Sequence, residues 1–165
     1  MLLLNEKQIK QKIKRLAFEI AEQNYLSHSI VLAGINNNGY GFAKLLAMEL
    51  RKILENPVEL THLRLNPANP LDHDISLELK NKDDLHRKTY IIVDDVANTG
   101  RTIFYAFKPF MEMLAGKVEV AVLVDRKHKR FPIEVNYVGL SLATTLMENI
   151  NVKIKDTDSL EVHLE

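Results

Sequence analysis

Ile91-Ile92-Val93-Asp94-Asp95-Val96-Ala97-Asn98-Thr99-Gly100-Arg101-Thr102 joins an apolar run, two adjacent acids and a Thr-Gly-Arg-Thr turn in one short stretch. Residues 90–93 read as a strand buried on both faces and ending at the acid pair. A helix should begin at the turn, and the spacing of Ile103, Phe107, Phe110, Met111 and Leu114 on its core side carries it over residues 102–114. Pro109 falls inside that pattern and should kink or interrupt it. Adjacent carboxylates at a strand end can accept hydrogen bonds from neighbouring sugar hydroxyls, or hold a hydrated Mg²⁺, which prefers oxygen ligands. Backbone N–H groups of a strand-to-helix turn form an anion cradle. Two threonine hydroxyls and Arg101 add donors, and Gly100 lets the backbone approach closely.

Outward from this stretch the chain alternates between two periods. Ile9, Ile13, Leu16, Ala17 and Ile20 recur at helical steps within residues 6–24. Residues 29–35 form an apolar strand that stops at an Asn-rich turn, Asn36-Asn37-Asn38-Gly39. Helical spacing returns over 42–54 and is closed by Asn56-Pro57, and residues 58–65 give a second strand. Further strands are expected at 119–124 and 133–138. Such alternation implies an α/β fold with a parallel sheet covered on both faces. Residues 66–88 are rich in Pro, Asp and Asn and long for a loop, which suggests a lid or hairpin arm. Neither a repeat nor a linker divides the chain, so one domain over residues 1–165 is expected.

In open α/β sheets ligands collect beyond the carboxyl ends of the strands. Three polar segments leave strands at that edge: 36–39, 94–102 and 125–130. An acid pair alone more often marks a solvated strand end. The buried strand, the acids and the turn together suit a ribose 5-phosphate, a diol beside a phosphate.

Lys plus Arg and Asp plus Glu both number 22 in 165 residues, so no global field draws nucleic acid or anionic membrane. Hydrophobic residues make up 46% and charged residues 27%, an ordinary globular balance. The absence of cysteine excludes disulfides, thiolate metal sites and a cysteine nucleophile. Met1-Leu2-Leu3-Leu4 lacks the basic start and long apolar region of a signal peptide, and no apolar run is long enough to span a bilayer. A cytoplasmic location is expected. His62, His73, His86 and His163 show no metal-ligand spacing and read as surface or lid residues.

Residues 91–102 resemble the 5-phosphoribosyl-1-pyrophosphate (PRPP) motif of type I phosphoribosyltransferases. The resemblance extends in order from about residue 11 to about residue 145, and narrows to the PyrR family of pyrimidine regulators and uracil phosphoribosyltransferases. It rests on Lys14-Arg15-Leu16-Ala17-Phe18-Glu19-Ile20, Leu32-Ala33-Gly34-Ile35 through Gly39, Ala43-Lys44-Leu45-Leu46, residues 122–133 and Asn136-Tyr137-Val138-Gly139. The fold it implies is a parallel, Rossmann-like sheet with a small hood and a flexible lid about 66–88. Asp94 and Asp95 would bind the ribose hydroxyls, directly or through Mg²⁺, and count with Arg126 as the catalytic set. Ala97, Asn98, Thr99, Gly100, Arg101 and Thr102 would hold the 5-phosphate. Asn36, Asn37, Asn38 and Gly39 would face the pyrophosphate, and Arg126 with its neighbours to Ile133 would flank the base.

The chain departs from the family at three places. Its pyrophosphate loop carries amides where Lys, Thr and Arg are usual, Asn98 replaces an Asp or Tyr, and Phe18 replaces a His of RNA-binding members. The resemblance implies an Mg²⁺-dependent phosphoribosyltransferase acting on a nucleobase, uracil first. The alternative is a PRPP or nucleotide sensor of the PyrR type with little catalysis, acting on RNA or a protein partner. The Arg126-Lys127-His128-Lys129-Arg130 run reads as substrate-facing or as a solvated turn, with RNA contact not favoured. A flavodoxin-like receiver would place its acid pair after the first strand, not past mid-chain. By analogy the protein should form a homo-oligomer, dimer or tetramer.

Overall fold

Asn5 opens the first helix through a reciprocal cap. Its side chain accepts from Gln8 N at 3.0 Å, while Gln8 Oε1 accepts from Asn5 N at 2.9 Å. In this computed structural model, which describes residues 1–165, a short strand β1 (Leu2–Leu4) precedes that helix, α1 (Glu6–Asn24). Then follow β2 (Ser29–Ile35), α2 (Asn36–Ile53), β3 (Val58–Arg64), β4 (Ser76–Leu77) and, after a 3₁₀ turn at Leu85–Arg87, β5 (Lys88–Ala97). Two short helices, α3 (Arg101–Ala106) and α4 (Lys108–Met111), lead to β6 (Lys117–Arg126), β7 (Tyr137–Leu142), β8 (Ile150–Lys153) and β9 (Glu161–Leu164).

The main sheet has the order β4-β3-β2-β5-β6-β7, parallel except for β4. Strand β2 is buried at every position because both of its faces are covered. Ile30, Leu32, Ile91 and Val93 meet Leu16, Ile20, Phe42 and Leu46 of α1 and α2 on one side. On the other, Val31, Ala33, Tyr90 and Ile92 meet Ile103, Ala106 and Phe110. A small antiparallel sheet, β1-β9-β8, brings the two ends of the chain together and packs Val152, Ile154 and Val162 into the first of these cores. No helix is long and apolar enough to cross a membrane.

Four expectations need correction. Strand β5 does not stop at the acids; its ladder with β6 runs on to Ala97 opposite Asp125. Helix α2 begins at Asn36, so the Asn-rich stretch is its first turn rather than a separate loop. Pro109 divides the third helical segment at Phe107, and the helical phase is lost beyond it. Met111 and Leu114 are therefore exposed, while Met113 and Ala115 pack against the core. The last strand of the main sheet begins at Tyr137 instead of residue 133. Asn136 starts that ladder by bonding Val120 N and O, each at 2.9 Å. Residues 133–135 instead bring Ile133 over Gly100.

Candidate functional site

Strand β5 delivers Asp94 and Asp95 to the carboxyl edge of the sheet. Asp94 is 9% exposed, and Gly39 lies directly on it. A Cβ at residue 39 would stand 2.6 Å from Val93 O and 3.3 Å from Asp94 Oδ1, so only glycine permits this approach. Burial and the neighbouring Asp95 charge push the Asp94 carboxyl well above the usual carboxylate range. Asp94 Oδ1 accepts from Asp95 N at 2.9 Å. The half-buried Asp95 accepts from Val96 N through one oxygen and from Asn38 Nδ2 through the other, both at 2.9 Å. The first turn of α2 and the acid pair are thus physically joined.

Beyond the acids the chain turns through Gly100, whose φ of 85° is left-handed. The turn is braced from outside: Thr99 O accepts from Arg130 N at 2.9 Å and from Phe131 N at 3.2 Å. Asp94 and residues 96–103 line a cavity of about 50 Å³, too small for a nucleotide but matched to one tetrahedral anion. Because α3 is only six residues long, the turn's own N–H groups and hydroxyls carry more of any anion field than a helix dipole does. Arg101 Nη2 reaches across to Ala68 O at 3.2 Å, tying the turn to the 66–88 segment. Ala97 is buried in the core and offers only its backbone.

The remaining expected residues divide. Asn36, at a positive φ of 50°, gives its whole amide to the end of β3: Nδ2 donates to Leu65 O at 2.9 Å and Oδ1 accepts from Leu65 N at 3.1 Å. Asn37 is exposed and lines a different cavity. Arg126, only 7% exposed, donates to Thr144 Oγ1 at 2.7 Å, to Asn98 Oδ1 at 3.0 Å and to Thr145 O at 3.0 Å. It stands beside the site and orients Asn98, with one bond from each of its three nitrogens committed to these partners. Lys129 pairs with Asp125 and donates to Asn98 O at 3.1 Å. Within the basic run only Lys127 and Arg130 stay exposed. Thr144, Thr145 and Leu65 were missed from the sequence because nothing in their local pattern announces a distant partner.

No group of three or more acidic or imidazole side chains converges here. The donor set is therefore two carboxylates at most. That suits Mg²⁺, which binds one or two carboxylates and completes its shell with water and phosphate oxygens.

The profile of the phosphoribosyl transferase domain family matches residues 2–159. The chain is 33% identical over 165 residues to the bifunctional protein PyrR of Bacillus pumilus (strain SAFR-032), covering 94% of this chain and 91% of the relative. It is 32% identical over 166 residues to that of Bacillus cereus (strain AH820), with the same coverage. Among solved structures, a Trypanosoma cruzi hypoxanthine phosphoribosyl transferase superposes with a TM-score of 0.74 at 18% identity, covering 98% of this chain and 90% of that one. A hypoxanthine-guanine phosphoribosyltransferase from Bacillus anthracis gives 0.69 at 20% identity, with 86% and 81% coverage.

Proposed function

The chain belongs to the phosphoribosyl transferase domain family, is PyrR-like within it and has the type I fold, and from this we propose that it transfers ribose 5-phosphate from PRPP to a nucleobase, uracil first, releasing pyrophosphate. The observation that carries the proposal is the joining of Asp94, Asp95 and Asn38 to the small anion-sized cavity of residues 96–103. In this reading Thr99, Gly100, Arg101 and Thr102 hold the 5-phosphate, and Asp94 and Asp95 hold the ribose hydroxyls or an Mg²⁺ between them. Bound Mg²⁺ would neutralise charge on the departing pyrophosphate. The C1–O bond breaks with its electron pair leaving on pyrophosphate, a base nitrogen bonds to C1, and that nitrogen's proton is lost. Most of the acceleration comes from positioning and charge stabilisation, and no side-chain nucleophile takes part. Asn98, fixed by Arg126, faces the base side, and residues 66–88 close over the site through Arg101, excluding water. We place this activity in the cytoplasm and in a homo-oligomer.

A pyrophosphate-release assay with PRPP, Mg²⁺ and each common nucleobase tests the proposal. Release with one base, uracil foremost, is expected; release with none would overturn the transferase reading. One observation favours a second reading, a nucleotide-sensing regulator with little turnover. The first turn of α2 holds no cation, and Asn36 is already committed to Leu65, so the pyrophosphate side is weaker than the monophosphate side. Nucleoside monophosphate binding without pyrophosphate release would identify that case.

A further inference from the structure

A cavity of about 450 Å³ lies on the outward face of α2, away from Asp94. Helix α2 turns Asn37, Tyr40 and Lys44 toward it, while Gly39, Phe42, Ala43 and Leu46 face the core on the other side. His62 and Arg64 of β3 form a second wall, and Lys155, just after β8, closes a third. Three cations from three separate elements therefore share one concavity with a single acid, Asp156, which pairs with Lys155 at 3.5 Å. Lys44 and Arg64 make no side-chain hydrogen bond or ion pair within the chain, so both keep their full donor capacity. The fields converge on His62: burial, then Arg64 and Lys155, hold its imidazole below the usual range, with Glu78 acting the other way. Its ring stacks on Tyr40 with centroids 3.5 Å apart and planes 15° apart, which gives the cavity a flat apolar wall beside the charges.

We infer that this cavity is a second anion site, separate from the one at Asp94, taking a phosphorylated small molecule that carries at least two negative charges. A guanidinium fork and an ammonium without acceptors are what phosphate oxygens satisfy. The volume falls in the range of small-molecule sites, of order 300–1,000 Å³. A nucleic-acid backbone would instead need a basic stripe tracking several successive phosphates, whereas Lys44, Arg64 and Lys155 are gathered round one small volume. The site is also connected to the first. Asn37 on its rim stands between Asn36, clamped to Leu65, and Asn38, which holds Asp95. An anion there is placed to act on the acid pair through one turn of helix.

The inference does not depend on catalysis, and NMR titration of the full chain with inorganic pyrophosphate and with ribose 5-phosphate, both without Mg²⁺, tests it. Saturable shifts of Tyr40, His62 and Lys155 are expected, weakening with added salt. In the Lys44→Ala/Arg64→Ala variant, whose changed side chains are exposed, affinity at that set should fall at least about tenfold, as loss of a charge-assisted contact implies. Shifts at residues 98–102 should persist in that variant and disappear in Arg101→Ala. Absence of shifts at His62 and Lys155 in the wild type would overturn the inference, as would their persistence in the double variant. A short RNA that shifts this set where neither small phosphate does would also overturn it.

Discussion

Asp94 shows what a single residue contributes to the site and what it costs the fold. Unfolded, it titrates in the ordinary carboxylate range near 3.8; folded, it holds its proton to well above that. Below the ordinary range both states are protonated and the residue adds no pH dependence. As pH rises through that range the unfolded chain releases the proton and the folded chain keeps it, so stability falls with pH until the folded carboxyl ionises. Asp94→Asn removes this penalty. Without Mg²⁺, its melting temperature should match the wild type near pH 4 and exceed it near pH 7, a gain of roughly 1 kcal/mol typical of relieved active-site strain. A lower melting temperature at pH 7 would contradict the electrostatic account. Gly100 makes the opposite prediction. A Cβ there would meet Ile133 Cγ1 at 2.7 Å at a φ of 85°, so Gly100→Ala should destabilise by about 1 kcal/mol or more, read by denaturant titration. Both residues were legible because their motif is local. The occupation of Asn36 and Arg126 was not, since their partners Leu65, Thr144 and Thr145 lie 18 to 29 residues away.

The elements that position the site were read best where burial is continuous. Residues 29–35 matched β2 because a strand covered on both faces is apolar throughout. Periodicity could not show that β5 continues through two acids, since its ladder with β6 rather than its hydrophobicity sustains it there. Nor could it reveal β8 and β9, four residues each, since β8 pairs only with β9 and the other partner of β9, β1, lies at the far end of the chain. Central in its sheet, β9 pairs with both β1 and β8. Deleting residues 161–165 should therefore dissolve the whole small sheet and uncover Leu4, Val152 and Ile154. A loss of a few kcal/mol would lower the melting temperature by about 2–4 °C per kcal/mol in a domain of this size. An unchanged melting curve would show that the small sheet adds nothing to the core.

At the scale of the whole molecule, a neutral chain carries strongly uneven local fields. Acids are gathered at the end of β5, the basic run is folded inward by Arg126 and Lys129, and unpaired cations lie on the far side of α2. Composition could exclude a global field but not foresee this separation, which only the topology produces. Three strand ends and the first turn of α2 meet at one edge, and that convergence is the basis of the functional reading. Calorimetric titration of PRPP with Mg²⁺ tests it most directly, comparing the wild type with Asp94→Asn/Asp95→Asn after circular dichroism shows the variant folded. Saturable binding by the wild type, weakened at least about tenfold in the variant, is the predicted result. No binding by the wild type, or equal binding by both, would contradict a PRPP site at the end of β5.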